Sequence, residues 1–140
     1  MSKKKVLFLC THNSARSQMA EGLLRALSGS RYEAYSAGVS PTIVDPEAIS
    51  AIAEIGVDIS GQRSKGLDEV RGLKFDLVVT VCDRARETCP FFPGARIQIH
   101  RSFDDPAAYQ GSAKRMAFRR VRDEIRAWIE ETFGDEIDKT

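Results

Sequence analysis

An unbroken apolar run near the start of the chain constrains the fold more than any other segment. Residues 6–10 are Val, Leu, Phe, Leu and Cys, and the polar residues 11–14 follow at once. Such a run before a polar loop is typical of a buried parallel strand. Beyond the loop, apolar residues recur at helical spacing and a glycine at position 29 is a suitable stop. The chain is therefore expected to begin as strand, loop and amphipathic helix.

The rest of the chain repeats this alternation. Strands are predicted at residues 32–37, 76–81 and 95–99, and helices at 46–55 and about 112–132. Residues 57–72 are expected to be loop with short helical turns. Alternating strands and helices imply an α/β fold with a parallel sheet, whose ligands bind beyond the carboxyl ends of the strands. Cys10 ends the first strand and Cys82 follows the third, so both are expected at the same edge.

Size and charge narrow the classes of function. The 140 residues predict one domain, residues 1–140, and 21 basic against 20 acidic residues leave a net charge of +1. That balance disfavours a nucleic-acid or membrane surface. Residues 6–10 are too short for a signal-peptide core and no other stretch could span a bilayer, so we expect a cytoplasmic protein. We also expect a monomer. Three cysteines do not form a disulfide framework, and buried, inert thiols remain the alternative to reactive ones.

The loop after the first strand has the composition of an anion site with a nucleophile. Residues 10–17 read Cys, Thr, His, Asn, Ser, Ala, Arg, Ser. A short loop entering a helix turns backbone N–H groups toward one point, and Arg16 can grip two oxygens of a tetrahedral anion. The same positive field lowers the pKa of a thiol at Cys10, and Ser17 can donate a hydrogen bond to it. His12 is expected to be a spacer or surface residue, because an activated thiolate needs no general base.

These motifs resemble a known family over nearly the whole chain. Residues 10–22 are similar to the low-molecular-weight tyrosine phosphatase superfamily, and closer still to the thioredoxin-coupled arsenate reductases built on that fold. The similarity continues through residues 35–38, 76–80, 103–107 and 120–125. The resemblance implies a three-layer fold with a central four-stranded parallel sheet flanked by helices. It also implies that substrate binds to the loop residues Thr11, His12, Asn13, Ser14, Ala15, Arg16 and Ser17.

A candidate proton donor is found in the loop after the fourth predicted strand. Expelling an oxygen from the anion is eased by a positioned proton donor. From the residues alone, Asp105-Pro106 is interpreted as an ordinary turn rather than as this proton donor, because Asp-Pro is common in turns. In the family that the chain resembles, the Asp of this pair is the general acid, which assigns the role to Asp105 rather than to its neighbour Asp104.

Two further cysteines distinguish a reductase from a phosphatase. Reducing an oxyanion by thiol chemistry needs a resolving thiol near the first. Residues 80–90, with Cys82 and Cys89, match the redox segment of the thioredoxin-coupled reductases. The resemblance implies a relay in which Cys10 attacks arsenate, Cys82 attacks Cys10, and Cys89 attacks Cys82 to form transient disulfides. Thioredoxin is the expected reductant, with a glutaredoxin-type donor left open, and no bound cofactor is expected.

Geometry adds a prediction about this redox segment. If residues 82–89 are helical, they span about 10 Å along the helix axis. A disulfide needs Cα atoms roughly 4.4 to 6.8 Å apart. We therefore expect the segment to unwind when Cys82 and Cys89 become joined.

The resemblance also raises the question of a potassium ion. Some relatives bind one with residues matching Asn13, Glu21 and Ser36 and with an acidic residue at the position of Lys65. A lysine brings its own positive charge. We therefore expect no metal site, and expect the Lys65 ammonium to pair with Glu21.

Two alternatives to an arsenate reductase are less consistent with these features. A low-molecular-weight phosphatase would need only Cys10, Arg16 and Asp105, but residues 106–108 lack the aromatic pair that often lines a phosphotyrosine pocket. A non-catalytic oxyanion-binding or redox-sensing protein is disfavoured by the intact set of nucleophile, arginine and acid. Residual phosphatase activity is expected, because phosphate and arsenate share shape and charge.

Overall fold

The computed structural model describes residues 3–88 and 91–134 and contains four strands and four helices in that part of the chain. The strands are β1 (Lys4–Cys10), β2 (Tyr32–Gly38), β3 (Phe75–Thr80) and β4 (Ala95–His100). The helices are α1 (Arg16–Ser28), α2 (Pro46–Ala53), α3 (Asp83–Thr88) and α4 (Gly111–Phe133). Two 3-10 turns, Leu67–Glu69 and Pro106–Ala108, complete the set.

All four strands are parallel and form one sheet in the order β2-β1-β3-β4. Helices flank the sheet, so the predicted fold class is confirmed. The chain leaves β1 to form β2 on one side and later forms β3 on the other side. The strand order therefore reverses between β1 and β3, which is where open α/β sheets bind ligands.

α2 begins at a start signal in the sequence, whereas α4 is marked by its apolar face. Asp45 caps α2 by accepting a hydrogen bond from Glu47 N, and Pro46 occupies the first helical position. α4 buries Phe118, Val121 and other apolar residues of one face in the core.

Arg119 of α4 pairs with a residue at the end of α2 and not with one of its own helix. The sequence places Arg119 four residues before Asp123, the spacing of a helical pair. In the structure the Arg119 guanidinium instead bonds both carboxylate oxygens of Glu54, at 2.6 to 3.1 Å. Arg122 reaches the same carboxylate at 2.8 Å. The polar face of α4 is therefore partly an interface with the end of α2.

No helix within residues 3–88 and 91–134 combines the length and the apolar character needed to cross a bilayer.

Candidate active site

Strand register brings the first two cysteines together. Cys10 is the last residue of β1, and Leu9 of that strand pairs with Thr80 at the end of β3. Val81 N then donates to Leu9 O at 2.8 Å, which carries the chain to Cys82 beside the end of β1. The expectation that both cysteines lie at one edge of the sheet is confirmed.

The backbone of the loop after β1 is oriented by the segment that follows β2. Val39 N, Ser40 N, Thr42 N and Asp45 N donate to four loop carbonyls, those of residues 10, 11, 12 and 14, at 2.8 to 3.3 Å. In a trans peptide the C=O and the next N–H point in opposite directions. The N–H groups that follow these carbonyls therefore point away from residues 39–45. This is the arrangement of an anion-binding loop.

A glycine allows this close contact. A Cβ atom on Gly38 would lie 2.6 Å from Asn13 N and 2.9 Å from both His12 C and Thr11 O. These are backbone atoms of the loop, so only glycine fits without displacing them.

Asn13 is the internal brace of the loop. It adopts a left-handed backbone conformation with φ of 50° and is fully buried. Its Oδ1 accepts hydrogen bonds from Gln18 Nε2 at 2.9 Å and from Lys65 N at 2.8 Å. Its Nδ2 donates to Ser17 Oγ at 2.8 Å. One amide therefore fixes the loop, the first turn of α1 and the neighbouring segment together.

The electrostatic environment of Cys10 favours the thiolate. The thiol of Cys82 hydrogen bonds to it and, against the effect of burial, lowers its pKa well below the usual value. The positive charge of Arg16 and hydrogen bonds from the side chain and backbone of Ser17 act in the same direction. A thiolate in a loop that leads into a helix, beside a cationic side chain, is a strong nucleophile.

The same contact shifts the pKa of Cys82 in the opposite direction. The hydrogen bond to Cys10 and burial raise the pKa of Cys82 far above its usual range. Thr11 opposes this shift through its hydroxyl, which lies 3.3 Å from the Cys82 sulfur. With Cys10 ionised, Cys82 is therefore the protonated partner.

Arg16 connects the loop to the acid-bearing loop after β4. Its guanidinium donates to Phe103 O at 3.2 Å and lies 3.8 Å from Asp105 Oδ2. Its Nε is buried and has no hydrogen-bond partner among the residues that the structure describes. A buried, unpaired N–H is costly. An oxyanion oxygen would satisfy it.

Asp104 and Asp105 have different environments. The Asp104 carboxylate accepts a hydrogen bond from the Tyr109 hydroxyl at 2.6 Å and one from Arg120 at 2.8 Å. These two bonds lower the pKa of Asp104, which makes it a poor proton donor. Asp105 begins the turn Pro106–Ala108, is about half exposed, and faces Arg16. Of the two carboxyl groups, Asp105 is the one that faces the arginine of the anion loop.

A cleft of about 620 Å³ opens over these groups. It is lined by residues of three segments, 11–16, 82–83 and 102–105. His12 lies at its rim, where Nδ1 hydrogen bonds to Ser40 O at 3.0 Å. Through that contact the imidazole holds the loop against the segment that follows β2.

The expected contact between Lys65 and Glu21 is confirmed. Lys65 Nζ lies 3.5 Å from Glu21 Oε1, which also accepts a hydrogen bond from Ser36 Oγ at 2.6 Å. Arg25 contacts the other carboxylate oxygen. The Glu21 carboxylate is already neutralised by two cations, so these residues do not fit a potassium ion.

Sequence reasoning missed the role of residues 62–66. Ser64 Oγ donates to His12 O at 2.8 Å, and Gln18 Nε2 donates to Arg63 O at 2.9 Å. Gly38 N donates to Lys65 O at 2.8 Å. These contacts join residues far apart in sequence and have no periodic signature that could have revealed them. Cys89, the third thiol of the expected relay, lies outside the described residues.

The fold and the loop define a class of protein, and comparison with known proteins identifies it. Residues 5–140 match the low molecular weight phosphotyrosine protein phosphatase family. The chain belongs to this family.

Within that family, the chain is similar to arsenate reductases. An arsenate reductase of Halalkalibacterium halodurans is 48% identical over 127 residues, which are 89% of this chain and 91% of that protein. A solved arsenate reductase in a phosphate-binding state superimposes with a TM-score of 0.80 at 32% identity, covering 94% of this chain and 98% of the other. A thioredoxin-dependent arsenate reductase of Corynebacterium glutamicum gives a TM-score of 0.75 at 28% identity, covering 99% of this chain and 64% of the other.

Proposed function

We propose that this protein is an arsenate reductase that works by a three-thiol relay through Cys10, Cys82 and Cys89. The observation that carries the proposal is the position of Cys82, which strand register places beside the end of β1 and in the cleft over the anion loop that holds Cys10. A phosphatase has no use for a second thiol at that place. The names of the relatives support the substrate.

In the first step the Cys10 thiolate attacks the arsenic atom of arsenate. Arg16 and the loop N–H groups hold the remaining oxygens. Asp105 gives its proton to the departing hydroxide, which leaves as water. The product is a Cys10 sulfur–arsenic(V) adduct.

In the second step the Cys82 thiolate attacks the Cys10 sulfur. The sulfur–arsenic bond breaks and its electron pair stays on arsenic, which is thereby reduced from As(V) to As(III) and leaves as arsenite. Two sulfurs are oxidised and form the Cys10–Cys82 disulfide, so the electrons balance.

In the third step Cys89 attacks Cys82 and releases the Cys10 thiolate. The resulting Cys82–Cys89 disulfide must then be reduced from outside. The thioredoxin-dependent Corynebacterium glutamicum relative supports thioredoxin as the electron donor. A glutaredoxin-type donor is the alternative outcome of the assay below.

The test is arsenite production from arsenate with thioredoxin, thioredoxin reductase and NADPH. Cys10→Ser should abolish it, and Cys82→Ser and Cys89→Ser should prevent turnover. With Cys89→Ser, one arsenite per protein should still appear, because the first two steps need only Cys10 and Cys82. Inactivity of the wild type with every thiol donor would refute the reductase, and turnover by Cys82→Ser would refute the relay.

A weak phosphatase activity is a second candidate function. Cys10, Arg16 and Asp105 are also what hydrolysis of a phosphate ester requires, with water completing the reaction. Hydrolysis of a chromogenic phosphate monoester should therefore persist in Cys82→Ser. It should be lost in Cys10→Ser.

Lys65 is proposed to replace the potassium ion of some relatives. Its ammonium is partly buried and lies 3.5 Å from Glu21 Oε1, which brings a positive charge to the place next to the anion loop that a cation would occupy. Replacing sodium by potassium should then leave activity unchanged.

A further inference from the structure

The last residue of β4 forms a hydrogen-bonded bridge that the relay does not use. His100 Nδ1 lies 2.7 Å from Thr80 Oγ1, and His100 Nε2 lies 2.8 Å from Asp83 Oδ1. Thr80 ends β3 and pairs in register with His100, whereas Asp83 begins α3. The imidazole therefore connects the end of a strand to the first turn of a short helix.

Cys82 lies between the two residues that the imidazole contacts. Thr80 is two positions before it and Asp83 is the next residue. α3 has six residues, and helices of that length are unstable in water without tertiary contacts. Ala85 supplies a fully buried apolar contact. The pair of Asp83 and His100 supplies a polar contact at the start of the helix.

The direction of these hydrogen bonds follows from the chemistry of the groups. A carboxylate only accepts, so Nε2 of His100 carries the proton and donates to Asp83. This hydrogen bond lowers the pKa of Asp83. Nδ1 accepts from the Thr80 hydroxyl in the neutral ring. The contact with Asp83 therefore needs a donor at the Nε2 position and does not need a charged imidazole.

We propose that His100 is a positioning residue for Cys82: by holding Asp83, it fixes the start of α3 and keeps the Cys82 thiol against Cys10. His100 contacts neither the substrate nor a reacting sulfur. This inference rests on the proposed relay and deepens its second step, because attack on the Cys10 sulfur requires Cys82 to be in place.

Two variants separate the hydrogen bond from the shape of the side chain. His100→Leu removes the donor. His100→Gln places an amide N–H near the position of Nε2 and can still donate to Asp83. Because Asp83 is two-thirds exposed, we expect His100→Leu to slow the attack of Cys82 on Cys10 several-fold and not to abolish it.

The first measurement is arsenite released in a single turnover without thioredoxin. His100→Leu should slow this release about five-fold, and His100→Gln should restore most of the rate. The arsenate KM and hydrolysis of a phosphate monoester should change less than arsenite release does, because Arg16 and Ser17 still lower the pKa of Cys10 when Cys82 shifts. A parallel fall in ester hydrolysis would mean general damage to the fold and would overturn the proposal.

The second measurement does not depend on arsenate. In a Cys89→Ser background, diamide oxidises Cys10 and Cys82 to a disulfide: the thiols give up two protons and two electrons, and diamide becomes the hydrazine. The rate should fall about five-fold with His100→Leu and recover with His100→Gln. Equal rates in the two variants would overturn the role of His100. A wild type that releases no arsenite would instead refute the relay, and the diamide rates would still decide whether His100 positions Cys82.

Discussion

Replacing Asn13 should be among the most damaging single changes to the loop. In Asn13→Ala, Lys65 N–H loses its partner and Ser17 Oγ loses its donor. An unsatisfied buried polar group costs about 1 to 3 kcal/mol. An alanine held in the left-handed region adds about 1 kcal/mol of strain. The Gln18 amide keeps two backbone carbonyls as acceptors, so losing the Asn13 side chain costs it little. Two such groups and the strain together should lower the free energy of unfolding by at least about 3 kcal/mol.

Urea denaturation, followed through the fluorescence of the single tryptophan, measures this loss. Asn13→Gly should recover about 1 kcal/mol relative to Asn13→Ala, because glycine tolerates the positive φ. His12→Ala is the matched control in the same loop. His12 is exposed, so its loss should cost less than about 1 kcal/mol. If Asn13→Ala costs no more than His12→Ala, the view of Asn13 as the brace of the loop is wrong.

Three further outcomes are expected. Gly38→Ala should lower stability by about 1 to 3 kcal/mol and weaken phosphate binding, measured by urea denaturation and calorimetry, whereas Gly61→Ala, which meets no atom within 4 Å, should do neither. Alkylation of Cys10 by iodoacetamide should remain fast at pH values well below the usual thiol pKa. Because folding lowers the pKa of Cys10, the thiolate contributes fully to stability above the pKa of the unfolded chain, and this contribution is lost as the pH falls through the folded pKa. Cys10→Ser should therefore flatten that part of the curve of unfolding free energy against pH. The melting temperature should be the same in potassium and in sodium, and a clear rise in potassium would contradict the role given to Lys65.

Local patterns in the sequence predict the part of the site that is built by neighbours in the chain. The apolar run that ends at Cys10 and the helix that starts at Arg16 define the loop, and the rule for parallel sheets places Cys82 beside it. The bracing by residues 62–66 and the bridge made by His100 join segments distant in sequence. No periodicity or spacing marks such contacts. Arg119 shows the same limit, because helical spacing favours a partner on its own helix while tertiary packing brought Glu54 closer.

The contact between the two thiols also explains why the proposed relay runs in one order. While Cys10 is a thiolate, its hydrogen bond with Cys82 keeps the Cys82 proton in place, so Cys82 cannot attack early or bind the anion in its stead. Once the Cys10 sulfur is bonded to arsenic, it is no longer an anion. The largest cause of the raised Cys82 pKa is then removed, while the Thr11 hydroxyl, which favours the thiolate, remains. In the proposed relay, formation of the adduct therefore lowers the pKa of Cys82, against the effect of burial, which remains, and so favours the attack of Cys82 in the second step.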